Sequence, residues 1–212
     1  MYNLLVDLLP ERVYGWRIRA DFRVMILFEL LVQDETMNDW EKLWRALALF
    51  YVDEPTNVQK AMKGLMWFYR CGKAAEEESG QEKAGKRQER AYDFEQDDGY
   101  IYAAFLAQYG IDLQDVEFLH WWKFRALFLG LNEQQEIVKI MGYRTMDLNG
   151  LSKAEKAHYG RLKALYRIKK PCRRKKLSYE AYQQQMKDYV AKRFAALERP
   201  EKVAKSKEET RE

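Results

Sequence analysis

The sequence predicts a mainly α-helical fold, a multi-helix protein in two helical blocks with a short β-hairpin allowed near the N-terminus. Three observations predict it. Helix breakers are scarce, with 4 prolines and 11 glycines in 212 residues. Apolar residues recur at three- and four-residue steps through most of the chain, the period of a helix with one buried face. Asn38 with Glu41, and Ser152 with Glu155, have the spacing of a capping box, in which each side chain satisfies a backbone N–H that the first turn leaves unpaired. The length is ample to bury a hydrophobic core.

From the N-terminus, residues 12–19, "RVYGWRIR", set β-branched and aromatic side chains around Gly15 and allow the hairpin. A first helix follows Asp21, on the spacing of Phe22, Met25, Ile26, Glu29 and Leu30, and stops at the polar run "QDETMND". Asn38 and Glu41 open a second helix that carries Leu43, Trp44, Leu47 and Phe50. "DEPT" opens a third through Val58, Met62, Leu65, Met66 and Tyr69, completing an N-terminal block over 1–71. Residues 72–90, "GKAAEEESGQEKAGKRQER", have no large apolar side chain to offset the entropy of ordering and read as a charged flexible linker.

The second block spans 91–198. Helices are expected over 97–109, closed by Gly110; over 114–131; over a short 133–141 before Gly142; from Ser152 until Pro171; and from Ser178, "SYEAYQQQMKDYVAKRFAALE", to Pro200. Residues 199–212 read as a disordered tail. No internal repeat is present. The longest apolar run, "VMILF", is far short of the roughly 20 residues of a spanning helix, and no basic stretch precedes the first apolar residues, so neither a signal peptide nor a membrane segment is expected.

Little in the chain suits chemistry, and no enzyme activity, cofactor or metal is expected. Cys71 and Cys172 stand far apart without a further Cys or His at metal-ligand spacing, which suits a reducing cytoplasm. His120 and His158 form no zinc-binding or nucleophile-base pattern, and the glycines make no phosphate-binding loop. The acid cluster Asp93, Glu95, Asp97 and Asp98 lacks the ligand spacing of a calcium loop. Carboxylates where a helix begins are favoured by its macrodipole at about 0.3 to 1 kcal/mol each, and that is the reading expected for Asp97 and Asp98.

Two features point to binding. "LHWWKFRALF", residues 119–128, sits in the helix expected over 114–131, where Phe118, Trp122 and Leu129 share one side, Trp121 and Phe128 a second, Phe124 and Leu131 a third. A helix apolar nearly all round is enclosed, within its own domain or between that domain and a partner. Trp, Tyr and Phe are also enriched at interface hot spots. Tyr102, Phe105, Phe118, His120, Trp121, Trp122, Phe124 and Phe128 are therefore candidates for core or partner binding. The second feature is basic: Arg161, Lys163, Arg167, Lys169, Lys170, Arg173, Arg174, Lys175 and Lys176 run without an acid among them. Such a stripe suits phosphates or an acidic surface. Net charge is only +4, Pro171 interrupts the stripe, and no recognisable nucleic-acid-reading module surrounds it, so nucleic acid ranks behind protein as a partner.

The stretch "YDFEQDDGYIYAAFLAQYGIDLQDVEFLHWWKFRALFLGL", residues 92–131, followed by "IMGYRTMDL", resembles the phage "gene product fifteen" family of Gram-positive siphophages and prophages. "DFRVMILFELL" and "FYRCGK" resemble it too, so the likeness covers most of residues 1–150. The resemblance implies a tail assembly chaperone, encoded between the major tail protein and the tape measure. Such a protein coats the long, helical, aggregation-prone tape measure until tail tube protein displaces it. Its partners would be those two proteins, with self-association allowed. Its place would be the host cytoplasm, not the mature virion. The family supplies no catalytic residues to carry over.

Overall fold

The computed structural model describes residues 2–73 and 90–169. The greater part of the charged stretch, the helix expected from Ser178, the tail, and Lys170, Arg173, Arg174, Lys175 and Lys176 lie outside the described residues.

Among the described residues the fold is mainly α: seven helices and one two-stranded hairpin. Strands β1 (Arg12–Val13) and β2 (Trp16–Arg17) pair antiparallel, Arg12 opposite Arg17 and Val13 opposite Trp16. Their two-residue turn places Tyr14 at φ 52° and Gly15 at φ 92°, the left-handed conformations that match the twist of a tight hairpin. Past the hairpin the chain bonds to the end of the second helix, where Arg19 N–H donates to the Phe50 carbonyl and Val52 N–H to that of Arg17.

Helix α1 (Phe22–Gln33) starts at Asp21, whose carboxylate accepts from Arg23 N–H. Helix α2 (Asp39–Phe50) has the full capping box between Asn38 and Glu41. Helix α3 (Val58–Tyr69) begins later than "DEPT" implied, because Asn57 is the residue whose side chain accepts from Lys60 N–H. Within α3, Gly64 lets the hairpin come close. A Cβ there would lie 2.6 Å from a Val13 methyl and 2.7 Å from the Tyr51 hydroxyl.

Helix α4 (Asp98–Tyr109) closes at Gly110, left-handed at φ 66°. Helix α5 (Trp121–Leu129) is much shorter than the helix expected over 114–131. Two things prevent the longer one. Asp112 folds the chain into a turn by accepting from Gln114 and Asp115 N–H. His120 then lies extended against Asp21, with Phe22 N–H bonded to the Leu119 carbonyl and Trp121 N–H to that of Ala20.

Helix α6 (Glu136–Thr145) begins three residues after the expected start and runs through Gly142, which was expected to stop it. A helical Gly costs only about 1 kcal/mol against Ala, and Arg144 beyond it is held in a buried ion pair. Helix α7 (Lys153–Leu165) shows the Ser152–Glu155 capping box and ends well before Pro171, with Tyr166 as its cap.

One continuous core takes Val13 and Ile18 from the hairpin region, Met25 and Phe28 from α1, Phe50, Leu65 and Phe68 from α2 and α3, and Phe105, Trp121, Phe124, Phe128 and Ile137 from α4 to α6. Residues on both sides of the charged stretch share it. Helix α7 contributes no buried residue and packs on α6.

Candidate functional site

The aromatic motif is the middle of the core. Phe124 stacks on Phe22 at 4.8 Å, on Phe105 at 5.0 Å and on Trp121 at 5.7 Å between ring centroids. The two tryptophans also do polar work. Trp121 Nε1–H donates to the Tyr69 carbonyl at 2.9 Å and Trp122 Nε1–H to the Phe68 carbonyl at 2.7 Å. Those carbonyls belong to the last turn of α3, where the helix itself supplies no donors; the Phe68 carbonyl also accepts from Cys71 N–H at 3.0 Å. The indoles therefore bury their rings and satisfy a helix end together.

His120 caps α5. Its Nδ1 accepts from Trp122 N–H at 3.1 Å, so the ring proton sits on Nε2, which faces the Pro10 carbonyl at 3.4 Å. Burial holds its pKa below the usual imidazole range. It is a neutral cap.

Of the eight aromatic-region candidates, Phe105, His120, Trp121, Trp122, Phe124 and Phe128 are buried. Tyr102 is partly covered and donates its hydroxyl to Asp112 at 2.8 Å. Phe118 stands out, 59% exposed.

Asp97 departs from its expected role. It occupies the N-cap of α4 but makes no side-chain cap bond. Instead, fully buried, it pairs with Arg144 through two contacts, 2.5 Å and 2.9 Å. The same guanidinium donates to the Tyr166 carbonyl at 2.6 Å and the Ala91 carbonyl at 3.0 Å, and Asp97 also accepts from Asp93 N–H. Bidentate geometry with every remaining atom engaged is what lets a charge pair sit out of water. This is a structural hub joining α4, α6 and the end of α7. Asp98 is exposed in the first turn of α4, as the macrodipole reading expects.

A partly buried carboxylate, Glu29, accepts from the Tyr69 hydroxyl at 2.6 Å, with Tyr92, itself bonded by Arg125, at 3.5 Å. Burial raises the Glu29 pKa against the pull of Tyr69 and Arg125. It borders a cleft of about 460 Å³ lined by Phe28, Val32, Met66 and Tyr92. The sequence showed Glu29 only as part of a helical period; its partners come from 40 and 63 residues downstream. Among the described residues no three His, Cys, Asp or Glu side chains form a metal-binding group.

In the basic stripe, Arg161, Arg167 and Lys169 are exposed, and Lys163 reaches the Met146 carbonyl at 3.4 Å.

Two apolar surfaces were missed. The first is an arm over residues 3–8. Asn3 and Asp7 close it, with Asn3 N–H donating to the Asp7 carboxylate at 2.7 Å and Asp7 N–H to the Asn3 carbonyl at 2.9 Å. Tyr2 fixes its root edge-on against Trp67 and Trp122. Outside stand Leu5 at 93%, Val6 at 79% and Leu8 at 93% exposure. The second is the outer side of α2, with Trp40 at 65% and Trp44 at 41%.

The fold and its surfaces describe a mainly helical protein whose polar hubs are structural and whose apolar residues reach the solvent on ordered elements. The family model described as Bacteriophage Gp15 protein matches residues 5–168, and the chain belongs to that family of phage proteins. No curated protein and no solved structure matches it. Among the described residues no helix is long and apolar enough to cross a membrane.

Proposed function

We propose that this phage protein is a non-catalytic tail assembly chaperone of a Gram-positive siphophage or prophage. It holds the tape measure protein in the host cytoplasm until tail tube protein displaces it. The observation that carries this reading is the arm: three large aliphatic side chains held almost fully in solvent by a hydrogen-bonded turn and an aromatic root. Contiguous exposed apolar surface on an ordered element marks an interaction site. Its natural partner is the apolar face of an amphipathic helix. Many weak contacts of this kind along one long client give strong total retention while leaving each displaceable.

Co-expression tests it. The tape measure should become soluble with several copies of this chain bound, and Leu5→Ser with Leu8→Ser should lose that activity while keeping the circular dichroism of the parent. A tape measure equally soluble with and without this protein, and no complex on gel filtration, would sink the reading.

The second reading, a nucleic-acid-associated phage protein, draws on the exposure of Arg161, Arg167 and Lys169. It requires tight binding to DNA or RNA that falls steeply with salt and disappears on charge reversal at Arg173, Arg174, Lys175 and Lys176. The chaperone reading expects little binding at physiological salt.

A further inference from the structure

Asparagine is a thermolabile residue, and what its side chain is bonded to decides whether it can react. The chain holds five, all within the described residues. Four have their side-chain oxygen engaged: Asn38 and Asn57 accept from Glu41 and Lys60 N–H as the caps of α2 and α3, and Asn3 and Asn132 accept from Leu5 and Gln134 N–H. Asn149 is different. It is exposed in the loop between α6 and α7, its own N–H is bonded to the Asp147 carboxylate, and its side-chain amide makes no hydrogen bond in the described structure. Gly150 follows it, at φ 83°, with its N–H likewise unbonded. Apart from chain neighbours, nothing lies within 4 Å of where a Cβ of residue 150 would stand, and glycine supplies none to crowd its own nitrogen.

We propose that Asn149–Gly150 is a site of spontaneous deamidation. The Gly150 nitrogen, having lost its proton to solvent, attacks Asn149 Cγ and closes a cyclic succinimide, and the side-chain nitrogen leaves as ammonia. Water then opens the ring at either carbonyl. Attack at Cγ leaves an aspartate at position 149; attack at the main-chain carbonyl leaves an isoaspartate, whose backbone runs through the former side chain. One water is consumed and one ammonia released, with no oxidant, enzyme or cofactor.

Either product lowers the net charge of +4 by one. The isoaspartate also lengthens, by one carbon, the connection through which α7 follows α6. Because α7 contributes no buried residue, the core does not oppose the change, and modified chains stay folded. The site requires no client and does not rest on the chaperone reading.

Holding the purified, folded chain at mildly alkaline pH for several days tests it, read by peptide mass mapping and by methyl transfer from an isoaspartate methyltransferase. The peptide of residues 145–153 should gain the mass difference between an amide and an acid and should take up the methyl label. It should do so within about tenfold of the rate in the same peptide alone, because exposed loops open at little cost in free energy. Peptides holding Asn38 and Asn57 should not change over that period. Conversion should quicken as pH rises, and Asn149→Gln should lose the label with unchanged circular dichroism. An Asn149 that keeps its amide, or that reacts far more slowly than the free peptide, overturns the proposal. So does conversion spread evenly over the five asparagines, or an acid product that takes up no label.

Discussion

The chain places two pairs of tryptophans on helices and treats them in opposite ways. Trp121 and Trp122 on α5 are buried, with each ring nitrogen donating to a carbonyl at the end of α3. Trp40 and Trp44 on α2 are exposed, with no hydrogen bond to either indole nitrogen in the described structure and chiefly each other for aromatic company. Hydrophobicity alone cannot separate the pairs. What separates them is whether the surroundings offer the indole N–H an acceptor and the ring other faces to stack on. A buried indole without an acceptor would carry an unpaid donor; one at the surface can use water.

The largest effect should fall on the buried pair. Trp121→Ala removes the ring from the Phe124 stack and deprives the Tyr69 carbonyl of its indole donor, and should cost about 3 to 5 kcal/mol in urea unfolding. Trp40→Ala should stay within about 0.5 kcal/mol, as surface changes do. Equal losses at the two sites would break the contrast.

A comparable loss, about 3 to 5 kcal/mol, is expected for Arg144→Met, which strands the Asp97 carboxylate out of water. The double change Arg144→Met with Asp97→Leu should recover much of it, since no buried charge is then left alone. If the single change is harmless, the pair is not the hub its geometry describes.

The smallest effect sharpens the polar side of the contrast. His120 has its pKa lowered by burial, so between the folded and unfolded pKa values the unfolded chain binds more protons, and stability rises with pH. Its contribution is complete above about pH 6.5, the unperturbed value, and is lost as pH falls through the folded pKa. His120→Asn should flatten that part of the stability-pH profile; an unchanged slope would assign the titration elsewhere.

What was legible in the sequence was local. Both capping boxes close within four residues, the hairpin turn within two, and Gly110 needs only its own φ, so each appears where spacing placed it. The start of α5 depends on the strand-like pairing of His120 with Asp21, far away in the chain, and Asp97 finds Arg144 across 47 residues. Spacing carries no trace of either. Trp44 fits the same period as Leu47 and Phe50, but the contact with α1 and α3 selects which arc of α2 turns inward, and Trp44 falls just outside it. The arm escaped because its rigidity comes from Asn3, Asp7 and Tyr2, three polar or half-polar residues in a run that looked merely aliphatic.

The two indole bonds to α3 also set an order of events. Their acceptors lie 52 and 54 residues upstream, so a chain emerging from the ribosome has made all of α3 long before the two indole donors to its last turn exist. Nor can α1 settle early: its first N–H waits for the Leu119 carbonyl, and Arg23 waits for the carbonyls of Leu113 and Val116. Contacts of such sequence separation slow folding. The last turn of α3 and the first turn of α1 therefore gain these partners only after residues 113–122 have been made.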